Sequence, residues 1–448
     1  MTKVVDDIYF DAVMAEHSRA VQVEEQRDTI LRIVDFLGVV RAGARILNDR
    51  DRGNFGNFSM IPGDSEIWVS SGTGSPEDAA FWNAWAAHAT ELDDGDRFGA
   101  VHPGAPVVAA VLAIVQDEQL TLKDLLRGVR VGYLGTVWLA RSLQPHLRDH
   151  GYHASGTCGV IGAALGVSSA RMASPEQFRS SLNFAVASSS GMLDVFSGES
   201  EMKPFNVAQA SLSGVRAATL GTLGFAGPPR LLSGKNGFLA HMSGGNIVDT
   251  LSDPPIGVVS AVYTKHYAPC RHCHGPVEAA IDIRERIRDR LHAVQSIQVI
   301  THDRAKSRHD HQKIDGPSSA KQSIPYCTAV ALLKGLSGLD AFEERVLSDE
   351  RVLELTSLTE VTATPEITAL APTKRVAIVQ VQMEDGSEET CRVDYPKGEP
   401  ENPLTENELV HKYVSLSEYG GIPKLKAMEH LTKLISQSDS ELRFLGER

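Results

Sequence analysis

Alanine and glycine recur at helical spacing through the first 250 residues of this chain. Thr29–Ala42 places Ile30, Ile33, Val34, Phe36, Leu37 and Val40 on one broad face, which predicts an amphipathic helix. Phe81–Thr90, Pro106–Gln116, Thr121–Ser142 and Gly159–Ala173 read the same way, and all but the third are rich in alanine. Small side chains let helices approach closely, so the expectation is a tightly packed helical body. Ser174-Pro175-Glu176-Gln177 marks a helix start, with Ser as N-cap and Pro in the first helical position. Ala208–Leu223 is a further helix, stopped by Gly224 and the Gly227-Pro228-Pro229 turn.

The pattern changes after about residue 260. Ser296–Thr301 is a short β-rich run, and Arg375–Met383 alternates cleanly. Asp385-Gly386 is a hairpin turn signal, and Glu389–Tyr395 is the returning strand. Helices are predicted over Pro276–Leu291 and Ser323–Leu333, and again over Thr405–Ser436. The expected class is mainly α. A helical domain covers 1–265, an α+β lid domain covers 266–398, and a helical segment, 399–448, returns to the first domain.

A formal net charge of −13 sets the whole surface against nucleic acid and anionic membranes. Five cysteines are an odd number and too few for a disulfide framework, so a reducing cytoplasm is expected. Met1–Phe10 lacks the basic and apolar parts of a signal peptide. Apolar runs such as Val107–Val115 fall short of the roughly 20 residues that cross a bilayer. Neither a Gly-x-Gly-x-x-Gly turn, a Walker A loop nor a Gly-x-Ser-x-Gly elbow is present, which disfavours dinucleotide, phosphate-cradling and serine-nucleophile chemistry.

Histidine and lysine carry the remaining signal. His88-Ala-Thr-Glu91-Leu92-Asp93-Asp94-Gly95-Asp96 precedes His102-Pro103-Gly104, a loop histidine beside carboxylates that can fix its tautomer. In Gly151-Tyr152-His153-Ala154-Ser155-Gly156-Thr157-Cys158-Gly159, residues Ser155 and Thr157 open a helix whose N-terminus favours an anion. Lys203-Pro204-Phe205-Asn206 opens another helix, and Lys321 lies in a basic loop before Ser323-Ile324-Pro325-Tyr326. Cys270-x-x-Cys273 has adjacent histidines but no second ligand pair at matching spacing, and is expected to be metal-free. Several imidazoles, lysines, tyrosines and a carboxylate cluster suit acid–base chemistry on a polycarboxylate.

Taken in register, these motifs resemble the MmgE/PrpD family, which includes 2-methylcitrate dehydratase, cis-aconitate decarboxylase and iminodisuccinate epimerase. The resemblance rests on His88–Asp94, His102-Pro103-Gly104, Gly151–Gly159, Lys203 to Pro228, Lys265–His274, Ser323–Tyr326 and Glu399–Leu404. It implies a large helical domain with a smaller α/β lid, a homodimer, an active site between the domains, and neither metal nor organic cofactor. By the same resemblance the functional positions are Glu91, Asp94, His102, His153, Lys203, Lys265, His274 and Tyr326. Four positions depart from the family pattern: Glu91 replaces an aspartate, Cys270 stands where cis-aconitate decarboxylase has histidine, and Phe205-Asn206 replaces the more usual Leu-His after the lysine.

The expected protein is a hydro-lyase of a small di- or tricarboxylate, with epimerisation as the alternative and decarboxylation or non-catalytic carboxylate binding ranked below. His102, His153 and Tyr326 would move protons, and Glu91 or Asp94 would orient a histidine. Lys203, Lys265 and Lys321 would hold carboxylates, with His274, Ser155 and Thr157 completing the binding set.

Overall fold

The computed structural model describes residues 4–51, 60–70, 72–196 and 202–436. They form two compact units. The first takes the residues up to Phe196, Met202–Tyr263 and those from Thr405 onward, and the second takes Thr264–Leu404. Helix dominates, with a smaller α+β region, which is the class the sequence predicts.

The first unit begins with α1 (Val5–Ser18), α2 (Val23–Asp51) and a small hairpin of β1 (Ser65–Ile67) and β2 (Gly72–Gly74). There follow α3 (Pro76–Ala89), α4 (Gly104–Asp117), α5 (Leu122–Leu143), the single turn α6 (His146–Asp149), α7 (Ala154–Ala170), α8 (Pro175–Ser188), α9 (Lys203–Gly221) and α10 (Phe238–Met242). Local chemistry sets the starts: Ser75 and Ser174 cap α3 and α8 ahead of a proline, and Thr121 with Asp124 closes a capping box on α5.

Helix α7 is the centre of this unit. It carries no charged residue, and every one of its residues is buried. A helix without a polar face has nowhere to go but the interior, and α4, α5, α8 and α9 enclose it. The crossing with α5 is backbone against backbone: a Cβ on Gly162 would lie 2.5 Å from the Gly132 carbonyl oxygen and 1.8 Å from Thr136 Oγ1. The helix also starts earlier than Gly159, so Ser155 and Thr157 sit in its first turn.

The second unit holds α11 (His274–Arg286), β3 (Val294–Thr301), α12 (Asp303–His309), α13 (Pro317–Gln322), α14 (Ile324–Lys334), α15 (Glu344–Leu347), α16 (Glu350–Ser357), β4 (Thr359–Ala363), α17 (Pro365–Thr368), β5 (Ala377–Met383) and β6 (Glu388–Val393). Its sheet has the order β4-β3-β5-β6, with β3 and β4 parallel and the other pairs antiparallel. Ala377, Val379, Val381 and Met383 of β5 point inward in strict alternation, and α11 packs on β5 and β6. The hairpin expected at Asp385-Gly386 is present; the edge strand β4 is an addition to the sequence reading.

The tail returns to the first unit as two helices, α18 (Glu406–Tyr419) and α19 (Lys424–Ser436), rather than one. Gly421, with φ 87°, and Pro423 make the break. Among the described residues, no helix is long and apolar enough to cross a membrane.

Candidate active site

The chain between α3 and α4 gathers the acidic run and His102. Asp93 Oδ2 accepts from His88 Nδ1 at 2.7 Å, both side chains being buried. Asp94 does three jobs at once: Oδ1 accepts from the Gly104 N–H (2.9 Å), Oδ2 from the Tyr133 hydroxyl (2.6 Å), and its backbone oxygen from His102 Nδ1 (2.7 Å). A carbonyl oxygen can only accept, so His102 carries its hydrogen on Nδ1 and, when neutral, presents Nε2 as a bare lone pair. Burial pushes the Asp94 carboxyl up to about 6, against the lowering effects of Arg32 and the Tyr133 bond. From α18, Lys412 donates to the Leu92 carbonyl (3.0 Å) and pairs with Asp35 of α2 (2.6 Å), bracing the loop from behind.

His153 stands at the N-cap of α7. Its N–H donates to the Gly191 carbonyl (2.9 Å), and its own carbonyl takes the Gly156 and Thr157 N–H groups, each at 3.0 Å. The rings of His102 and His153 lie 5.0 and 6.2 Å from that of His88, so three imidazoles share one neighbourhood. Burial, aided by His88, Lys203 and His102, holds His153 well below the usual imidazole range. Ser155 and Thr157, the expected substrate contacts, lie beside the two histidines. Ser155 Oγ accepts the His102 N–H (2.9 Å) and Thr157 Oγ1 donates to the His153 carbonyl (2.9 Å), so both hydroxyls brace the histidines.

The first turn of α9 adds Lys203 and Asn206. Lys203 Nζ donates to Glu91 Oε1 in a partly buried ion pair. Asn206 Nδ2 donates to the Met192 carbonyl (3.0 Å) and lies 3.4 Å from His153 Nδ1. Phe205 packs edge-on against Trp85 (5.9 Å) and Phe81 (6.3 Å), which ties this turn to α3.

The other expected residues belong to the second unit. His274 is fully buried, with Nε2 on the Pro269 carbonyl (3.1 Å) and Nδ1 on Arg271 (2.6 Å), while Arg271 pairs with Glu399 (2.7 Å). Both of its ring nitrogens therefore have partners within this unit. Tyr326 is buried as well; its hydroxyl donates to the Ala341 carbonyl (2.7 Å), and burial raises its pKa. Lys265 is buried, and Lys321 sets its ammonium 5.7 Å from the Phe342 ring centre.

Among the described residues, His88, Asp93 and His102 form a group whose donor atoms lie within 4.8 Å of one another, close enough to consider a metal ion. In the structure His88 Nδ1 is bound to Asp93 and His102 Nδ1 to the Asp94 carbonyl. The cysteine pair diverges: Cys270 Sγ lies 4.0 Å from His309 Nε2, and Cys273 Sγ 3.9 Å from the Lys321 carbonyl. The candidate residues singled out in the sequence omit His88, Asp93, Tyr133 and Asn206. His88 and Asp93 stand in the acidic motif and were open to detection; Tyr133 has no local signal.

Three clustered imidazoles, buried carboxylates and a paired lysine make up the equipment of an acid–base enzyme site. The model of the MmgE/PrpD N-terminal domain matches residues 12–250, and that of the MmgE/PrpD C-terminal domain matches residues 267–435. The chain belongs to the MmgE/PrpD family, a family of dehydratase- and isomerase-like enzymes. No curated protein matches it.

Proposed function

We propose that this protein is a cofactor-independent hydro-lyase that removes water from a small hydroxy-di- or tricarboxylate. The observation that carries the reading is the fixed tautomer of His102, whose Nδ1–H is bound to the Asp94 carbonyl and whose Nε2 is left basic. In the proposed reaction, His102 Nε2 takes the proton from the carbon beside a carboxylate. The C–H electron pair becomes the new double bond, the C–O bond at the neighbouring carbon breaks, and the hydroxyl leaves as water after gaining a proton from an acid. Lys203, with Glu91, would meet one substrate carboxylate; Lys265 and Lys321 are proposed further carboxylate-binding cations. A homodimer, tested by sedimentation, belongs to the same proposal.

The deciding experiment incubates the enzyme in D₂O with a panel of hydroxy- and amino-polycarboxylates and follows exchange by NMR and alkene formation by absorbance. Exchange with elimination supports the hydro-lyase. Exchange with inversion and no alkene would replace it by an epimerase, and no exchange with any member would leave a carboxylate-binding protein. His102→Gln should lower kcat at least ~10²-fold.

A further inference from the structure

The proposed reaction needs an acid as well as a base, and one amide in the first turn of α9 bears on which group that is. The Met192 oxygen is a carbonyl and can only accept, so the Asn206 side chain must turn its NH₂ group toward it, at 3.0 Å. That orientation leaves the second hydrogen of the same nitrogen for His153 Nδ1, 3.4 Å away. Two N–H donors cannot face each other, so Nδ1 of His153 is the acceptor and its hydrogen sits on Nε2. The chain is built to hold this approach. His153 donates its backbone N–H to Gly191, whose φ of 119° favours glycine, and a Cβ on Gly156 would lie 3.1 Å from Asn206 Cβ and 3.2 Å from Gly191 Cα.

We infer that Asn206 is a positioning residue that locks His153 as the Nε2–H tautomer, making His153 the acid arm opposite the basic Nε2 of His102. The two histidines thus carry opposite tautomers, each set by a neighbour that has no choice of role: a backbone carbonyl for His102, and an amide oriented by a backbone carbonyl for His153. His153 stays neutral among His88, His102, Lys203 and Glu91, so it delivers a proton as a neutral imidazole. In delivering it, the N–H bond breaks and Nε2 keeps the electron pair; the proton that His102 took from carbon then returns through water to that nitrogen, which restores both neutral imidazoles.

The assignment rests on the hydro-lyase reading for its catalytic meaning, but its test does not. Ring ¹⁵N spectra of histidine-labelled protein separate protonated from bare nitrogens, and His153 is identified by the loss of its signals in His153→Gln or, should that variant not fold, from through-bond couplings. The expected wild-type result at neutral pH is a bare Nδ1 and a protonated Nε2; a protonated Nδ1 overturns the inference. In Asn206→Asp the carboxylate accepts from Nδ1–H, so the pattern should invert, and kcat should fall at least ~10-fold with KM changed less than ~3-fold. Asn206→Leu, of similar volume, should lose the single tautomer without adding charge. If the folded variants keep the wild-type pattern, Asn206 does not set it and the inference fails. If the tautomers are as expected but no polycarboxylate exchanges, the tautomer assignment stands and the hydro-lyase reading falls.

Discussion

Glu91 sits just past the end of α3 with φ 61°, a left-handed conformation usually left to glycine at that position. A side chain there costs about 1 kcal/mol, and here it is retained in an ion pair with Lys203. Glu91→Gly and Glu91→Ala both remove the pair, but only the first relieves the backbone, so the glycine variant should melt a few degrees higher; equal melting temperatures would show that no strain is held there. Asp94 makes a pH prediction. Its carboxyl is raised from 3.8 to about 6, so the protonated form is the one the fold favours. The stability it lends is complete below about pH 4 and is lost as pH rises through about 6. Asp94→Asn stays uncharged and can keep both partners, since the Tyr133 hydroxyl can accept as well as donate. Its melting temperature relative to wild type should therefore climb between pH 4.5 and 7, and a difference that ignores pH would refute the assignment. The sequence displays Asp94, His102, His153 and Lys203 because they fall in compact motifs. It hides Tyr133 and Asn206, whose partners are 39 and 53 residues away. Motif position also fails to say which partners a side chain takes: the Tyr326 hydroxyl reaches the Ala341 carbonyl, and His274 reaches Arg271 and the Pro269 carbonyl.

At the scale of elements, the placement of His153 depends on how α7 crosses α5. Gly162→Ala would push a methyl group into the Gly132 carbonyl and Thr136, and α7, buried on all sides, has no free direction in which to shift. Destabilisation of ~3 kcal/mol or more is expected by chemical denaturation; a loss under ~1 kcal/mol would mean that the crossing is looser than described. The helices were legible because a 3.6-residue period persists over ten or more positions, and the β5–β6 hairpin because its alternation flanks Asp-Gly. Strand β4 was not. Its five residues pair with β3 through backbone groups, and so short a run leaves little for a periodic signal to register. The tail read as one helix because Gly420, Gly421 and Pro423 interrupt an apolar pattern that resumes in nearly the same phase.

For the whole molecule, a −13 chain with the proposed polycarboxylate substrate must concentrate its cations. Lys203→Met should lower kcat/KM by ~10²-fold or more, whereas Glu91→Gln, which keeps the ammonium, should change KM far less; a Lys203→Met variant within threefold of wild type would move carboxylate binding to Lys265 and Lys321. The brace behind the histidine loop has a different consequence, one of timing. Lys412 lies 320 residues after Leu92, the loop residue it holds. A ribosome therefore delivers the loop, and the Asp35 carboxylate beneath it, long before it delivers the cation that secures both. A polypeptide halted between α7 and α18 has its histidines but not the post they lean on. Synthesis of α18 is thus the assembly step for this loop, and chains that stop short of it are built without it.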